Sequence, residues 1–208
     1  DVDQFTQDVM EMLHYFEPAQ PNQAVRAVPG EGTRVPVWIL GSSLFGAQLA
    51  AALGLPFAFA SHFAPAQMMQ AIALYRAQFQ PSAYGDTPYV MLGLNIVAAP
   101  TDEEARFLFT SLQQAFVNLR TGQPGPLPPP VEGYGERLDP MAQAGLASAL
   151  SQAIIGSPDT VRMGLAEFVG RTGADELMVT SQIFDHAARR RSFQIAAEAR
   201  DDLGRAAA

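Results

Sequence analysis

Val37–Trp38–Ile39–Leu40–Gly41–Ser42–Ser43 runs directly into Leu44–Phe45–Gly46–Ala47–Gln48–Leu49–Ala50–Ala51–Ala52–Leu53–Gly54–Leu55–Pro56. The apolar run Val37–Leu40 has the length of one buried strand and meets a Gly–Ser–Ser corner. A small, Ala-rich helical pattern follows, Gly54 stops it, and Phe57–Ala60 reads as a second apolar strand. Strand, tight turn, helix, strand is a βαβ unit. The corner sets backbone N–H groups and two hydroxyls at a helix N-terminus, where unpaired donors and the positive end of the helix dipole favour an anion. Ser42 and Ser43 either cap the helix or hold a phosphate, and on this stretch alone capping is the commoner use of such serines.

Upstream of the unit, Phe5, Val9, Met12, Leu13 and Phe16 recur at helical spacing, and Pro18 and Pro21 end the pattern. His14 falls off that stripe and is expected in solvent. The helical pattern is already running at Asp1, so residues preceding it are expected. Pro18–Pro36 is Pro- and Gly-rich and reads as a connecting loop.

Downstream, Met68, Met69, Ile72, Tyr75, Arg76 and Phe79 mark a helix, with the methionines expected as core filler. Tyr89–Ala98 is a third strand, apolar enough for both faces to be covered. Thr101–Asp102–Glu103–Glu104 has the form of a capping box, opening a helix with Ala105, Leu108, Phe109, Leu112, Ala115, Phe116 and Leu119 on one face. Thr121–Asp139 is a long Pro- and Gly-rich excursion, expected to be mobile or functional. Asp139–Pro140 opens a helix expected to end near Ile155–Gly156, and Ser157–Pro158 opens another, stopped by Gly173. Glu176–Thr180 is a fourth strand, and Asp185 or Ser181 would cap a last helix from His186 to about Leu203.

Four buried strands alternating with helices, with no hairpin among them, make a parallel α/β sheet. It is either an open doubly wound sheet or part of an eightfold barrel. The chain has 208 residues, 48% of them hydrophobic and 16% charged, as expected of a globular protein with a sizeable core. A net charge of −8 argues against nucleic acid as a partner. No apolar run reaches the roughly 18 residues that mark a membrane-spanning helix, and with no basic segment followed by an apolar one at its start, secretion is not expected. The chain has no Cys, which excludes thiol nucleophiles and thiolate metal sites and fits a reducing cytoplasm. All 13 basic side chains are Arg, so there is neither a Schiff-base nor a P-loop lysine. The three histidines, His14, His62 and His186, form no metal-ligand spacing, and no metal site is expected.

Ligands of parallel α/β proteins sit at the carboxyl ends of the strands. That rule gathers Gly41–Ser43, Ser61–Phe63, Asn95–Ala99 and Thr180–Gln182 on one rim. The rim holds no carboxylate pair and no nucleophile elbow, so it suits a cofactor carrying its own reactivity. His62 is the histidine at a strand end, either a pocket residue or one satisfied by a backbone carbonyl. Asp185–His186 is expected to be a capping pair, not a catalytic dyad.

The succession Val37–Ser43, Ala50–Pro56 and Phe59–Ala60–Ser61–His62–Phe63–Ala64–Pro65 closely resembles the bacterial-luciferase-like flavin-dependent monooxygenases. The Ile155–Val161 turn, the Ala174–Val179 strand and the Ile183–Arg189 junction are similar as well. The likeness is closest to the single-subunit, alkanal-monooxygenase-like branch. It implies a TIM (β/α)8 barrel, with residues 1–208 forming its C-terminal part and residues 121–139 a mobile loop that closes over the flavin. It implies FMN, reduced by NAD(P)H or by a flavin reductase, and O2 acting on a small organic, aldehyde-like substrate. A homodimer and a flavin reductase are the partners implied. Gly41, Ser42, Ser43 and Gly46 match the segment that binds the FMN phosphate, and Ser61–His62–Phe63 would face flavin or substrate. Luciferase subunits carry an acidic residue at the position of Ser42, so the phosphate surroundings would differ here. A deazaflavin in place of FMN, a non-catalytic flavin binder, and a hydrolase or transferase of phosphorylated substrates remain alternatives.

Overall fold

The computed structural model describes residues 2–206, so Asp1, where the helical pattern is already running, lies outside the described residues. In chain order the elements are α1 (Val2–Phe16), β1 (Ile39–Gly41), α2 (Leu44–Leu53), β2 (Phe57–Phe59), α3 (Met68–Gln78), β3 (Val90–Ala98), α4 (Asp102–Arg120), α5 (Pro140–Ala149), β4 (Ile154–Gly156), α6 (Pro158–Thr172), β5 (Glu176–Thr180) and α7 (His186–Ala206). Every strand pairing is parallel. β1 lies beside β2 and β2 beside β3, while β3 pairs with β5 through Met91–Asn95 and with β4 through Ile96–Ala98.

The alternation of side chains along β3 divides the sheet into two faces. Val90, Leu92, Leu94, Ile96 and Ala98 join Ile39, Phe57 and Phe59 in the main core, under residues of α2, α3, α6 and α7. Register then fixes the opposite, inner face. Leu40, Ala58, Met91 and Glu176 lie level on it, followed by Gly93 beside Met178 and Asn95 beside Thr180. Leu40 is 68% exposed and Met178 54% exposed. The expectation that the third strand is covered on both faces therefore holds, whereas β1 and β5, expected as buried strands, are covered on one face only. α2, α3, α6 and α7 cover the outer face, α4 packs on Val97 at the end of β3, and the inner face of β1 and β5 stays exposed at Leu40 and Met178.

The described residues form five strands where the sequence predicts four. The helix opened by Asp139–Pro140 ends at Ala149, and Ile154–Gly156 is a strand, not a helix end. Ile154 is buried in the main core while its backbone pairs with Ile96, so tertiary pairing overrides an apolar stretch continuous with a helical pattern. Of the five residues of the predicted stripe in α1, Val9 and Leu13 are buried, Phe16 is half-buried, and Phe5 and Met12 are exposed. The 121–139 excursion contains a short turn at Gly135–Arg137 and runs back along α4. Thr110 Oγ1 accepts from Val131 N (2.9 Å), and Gln114 Nε2 donates to Pro129 O (2.8 Å).

Candidate active site

β1 ends at Gly41, and the chain turns through Ser42 into α2 with Ser43 extended at the N-cap. Ser42 and Ser43 are exposed, Ser43 makes no side-chain capping bond, and the first turn of α2 holds no acidic residue. The capping role expected of these serines is therefore not the one Ser43 takes. Three other helices close their starts with their own preceding side chains, whereas α3, which continues from a short turn at Pro65–Gln67, has no side-chain capping bond either. Thr101 Oγ1 accepts from Glu104 N at 3.2 Å, Asp139 Oδ1 from Met141 N and Ala142 N at 2.9 Å, and Asp185 Oδ1 from Ala188 N at 2.7 Å. At α6 the oxygen comes from another element: Asp102 Oδ1 accepts from Ser157 N (2.6 Å) and Thr160 Oγ1 (2.8 Å). Those bonds, the Ser157 N–H first, hold the Asp102 carboxyl below the ordinary aspartate range. An ionised carboxylate thus occupies the α6 start, whereas the α2 start stands open to solvent.

Gly46 is buried on the strand side of α2. A Cβ there would lie 3.5 Å from Gly41 Cα and 3.6 Å from the Phe57 ring. It sits behind the corner, against the strands, while Ser42 and Ser43 sit in front.

Beside the corner, Ala60 N donates to Gly41 O (2.9 Å), tying the ends of β1 and β2 together. The next residues reach toward β3. Ser61 is buried and its hydroxyl donates to Gly93 O (2.7 Å). Asn95 Nδ2 donates to His62 O, and Asn95 Oδ1 accepts from Thr180 Oγ1 (2.6 Å). Ser61 and Asn95, expected to present polar groups at the rim, are instead consumed in joining β2, β3 and β5.

His62 differs from them. Its Nδ1 is buried with no hydrogen-bond partner, and burial pushes its pKa below the ordinary histidine value. The Nδ1 edge of its ring rests on Gly93, where a Cβ would fall 2.2 Å from Nδ1. The Phe63 ring meets it edge-to-face, centroids 4.7 Å apart. His14 and His186 are exposed; His186 Nδ1 lies 2.9 Å from Arg189 Nη2 while Asp185 caps α7 as expected.

Sequence reasoning misses two contacts here: the Asp102 tie across to α6, and Gly93 as the seat for His62. The second has a sequence signal, since a glycine inside an apolar strand marks close approach of another group. Two large grooves lie elsewhere. One of about 920 Å³ runs between α4 and the excursion, past Glu103, Arg106, Phe107 and Tyr134. Another of about 870 Å³ runs between α6, α7 and β5, past Leu165, Val169 and Phe193. Among the described residues no three His, Cys, Asp or Glu side chains group as metal ligands, and no helix is long and apolar enough to cross a membrane.

A parallel βα array with an uncapped helix start at the end of a strand is an α/β architecture of the kind whose ligands sit at the carboxyl ends of its strands. The family model of the luciferase-like monooxygenases matches residues 12–176, and the chain belongs to that family. It is 51% identical over 203 residues to an Escherichia coli K12 protein called luciferase-like monooxygenase, covering 98% of this chain and 61% of that protein. The crystal structure of apo-MsnO8 superposes with a TM-score of 0.76 at 28% identity, over 97% of this chain and 61% of that one. Two solved structures of lower identity share the fold. Riboflavin lyase RcaE with modified FMN and riboflavin gives a TM-score of 0.52 at 16% identity, over 84% of this chain and 44% of that one. The coenzyme F420-dependent tetrahydromethanopterin reductase of Methanopyrus kandleri gives 0.54 at 12%, over 94% and 60%. The chain thus spans about 60% of the length of the curated relatives it matches. The fold is that of a TIM-barrel monooxygenase, with this chain supplying part of the barrel.

Proposed function

We propose that this chain is the cofactor-phosphate-binding part of an FMN-dependent monooxygenase that uses reduced flavin and O2 on a small organic substrate in the cytoplasm. The observation that carries the reading is the open start of α2. Ser43 leaves the first N–H groups uncapped and no carboxylate opposes an anion there, whereas α4, α5, α6 and α7 all have an oxygen in place; α3 is also uncapped but continues from a short turn and does not start directly at a strand end. A dianionic phosphate suits such a start, with Gly41, Ser42 and Ser43 around it and Gly46 holding the helix behind. The reaction chemistry would be the flavin's own: reduced flavin reacts with O2 to activate it, and the protein's part is to bind, orient and exclude water.

The open inner face supports a larger assembly. Exposed Leu40 and Met178 on a sheet whose outer face is fully packed fit residues 1–208 as the C-terminal part of one (β/α)8 barrel. In that barrel the 121–139 excursion would act as the loop over the bound flavin. Small-molecule substrate, O2, a flavin reductase and a second copy of the chain complete the set of partners in this reading.

Titration of the full-length protein with FMN, followed by quenching of flavin fluorescence, tests it. Micromolar binding followed by O2-dependent turnover on an aldehyde after photoreduction is the expected result. Binding without turnover would favour a flavin carrier, and preference for a deazaflavin would change the cofactor. No binding of either would overturn the reading.

A further inference from the structure

We propose that His62 is a locked hydrogen-bond donor: neutral, protonated at Nε2, and presented on the open inner face to an acceptor atom of the ligand's ring system. The identity of that ligand rests on the flavin reading above, and the ring's protonation state does not. A flavin-type ring carries carbonyl oxygens and ring nitrogens that accept such a bond.

The ring's seat carries the argument. A Cβ on Gly93 would meet Nδ1 at 2.2 Å, Cε1 at 3.0 Å and Cγ at 3.2 Å, so the Nδ1 edge of the imidazole faces the strand. Nε2 lies on the far edge of the ring, and the residue as a whole is partly exposed. Gly93 belongs to the inner face of β3, level with exposed Met178, so that far edge turns toward the open interior of the sheet.

Of the protonation states open to the ring, two put an N–H on Nδ1: the imidazolium and the Nδ1–H tautomer. Either would bury a donor with nothing to accept from it, because Ser61 Oγ already takes the Gly93 carbonyl and Asn95 Nδ2 takes the His62 carbonyl. Unpaired buried N–H groups are rarer in proteins than unpaired acceptors. The penalty biases the equilibrium by roughly one to two orders of magnitude. The remaining state places a lone pair against the Gly93 Cα–H and leaves the N–H where a ligand can reach it.

The backbone of the seat is fixed independently. Asn95 holds the His62 carbonyl and is itself held by Thr180, so β5 and β3 together set where residue 62 stands. Gly93 contributes only an absence of side chain, which the ring fills.

Nitrogen-15 NMR of histidine-labelled, ligand-free full-length protein at neutral pH reads the tautomer directly, with His62→Gln used to assign the signal. The expected spectrum has Nδ1 of His62 in the unprotonated range and Nε2 in the protonated range. An Nδ1–H pattern, or the averaged shifts of a solvated imidazole, would overturn the proposal whatever the protein binds. Gly93→Ala should displace the ring and return its shifts toward the average; an unchanged signature would also overturn it. Binding supplies the second readout, with FMN as the probe. His62→Gln carries its amide nitrogen near the Nε2 position and should bind within about threefold of the native protein. His62→Asn, whose nitrogen falls near Nδ1, and His62→Phe should each lose about tenfold or more. Native affinity in a folded His62→Phe protein would remove the donor role. Failure of the native protein to bind FMN would sink the flavin reading and leave the NMR signature to decide this one.

Discussion

α2 and α6 are built alike and end alike, yet begin differently. Each follows a short parallel strand, and each stops at a left-handed glycine, Gly54 at φ 63° and Gly173 at φ 60°. At their starts, α6 has the Asp102 carboxylate bonded to Ser157 and Thr160, whereas α2 has two exposed serines and no bonded oxygen. A helix start with its own carboxylate repels a phosphate, and one without leaves its N–H groups for a ligand. The difference teaches that a strand–turn–helix corner is not a binding site by geometry alone. What separates the two is whether the fold has already supplied the anion.

The largest expected effect tests the shared end. Gly54→Ala would put a Cβ 2.4 Å from Gln80 O and 2.6 Å from Ser82, on top of left-handed strain, and should lower stability by about 2–5 kcal/mol in denaturant unfolding. Gly173→Ala carries the same strain but meets only the Arg76 guanidinium at 3.3 Å, the end of a long side chain that donates to Thr172 O and Gly173 O and can give by a few tenths of an ångström, so about 1–2 kcal/mol is expected. Equal losses at the two sites would mean that the packing around Gly54 is looser than it looks.

Ser43→Asp would give α2 the carboxylate that α6 borrows. FMN affinity should then fall about tenfold or more, near 1.4 kcal/mol, while the thermal midpoint stays level or rises through better capping. Unchanged affinity would remove this serine from the site. Asp102→Asn makes the reverse change at α6. Because the folded carboxyl titrates below the ordinary value of 3.8, it adds stability above that pH and loses it as pH falls through the folded value. The variant should melt lower at neutral pH and show a shallower loss on acidification, measured by thermal melts across an acid series. The smallest effect is expected for Gly46→Ala, whose Cβ would find ordinary contacts at 3.5–3.7 Å. Helix propensity should then stabilise the protein by about 0.5–1 kcal/mol with FMN binding unchanged.

Features that depend on neighbours in sequence were legible before the fold was known. Thr101, Asp139 and Asp185 cap the helices they precede, and the Gly41–Ser43 corner follows a strand and opens a helix as read. What escaped depends on residues far apart. Asp102 and Ser157 are 55 positions apart, and nothing local says that one carboxylate serves a helix so distant. Ile154–Gly156 escaped because three residues show no period, and pairing with Ile96–Ala98 decides their state. The rim was read as a row of polar groups facing a ligand. Without knowing which residues face each other across strands, Ser61 and Asn95 could not be told from His62, although the first two are spent on the backbone of their neighbours.

The tie between Asp102 and Ser157 has a consequence for descent. The detour from β3 to β4 leaves and returns at one pinned place, so α5 and the 121–139 excursion hang from a closed base. Doubling the length of such a hanging segment changes its closure free energy by only about 0.6 kcal/mol. The wall that the excursion gives the α4 groove can therefore be lengthened, shortened or rewritten between relatives without moving β5, Thr180 or the His62 seat. Selection can act on the shape of that groove and on the grip at the α2 start as separately inherited traits.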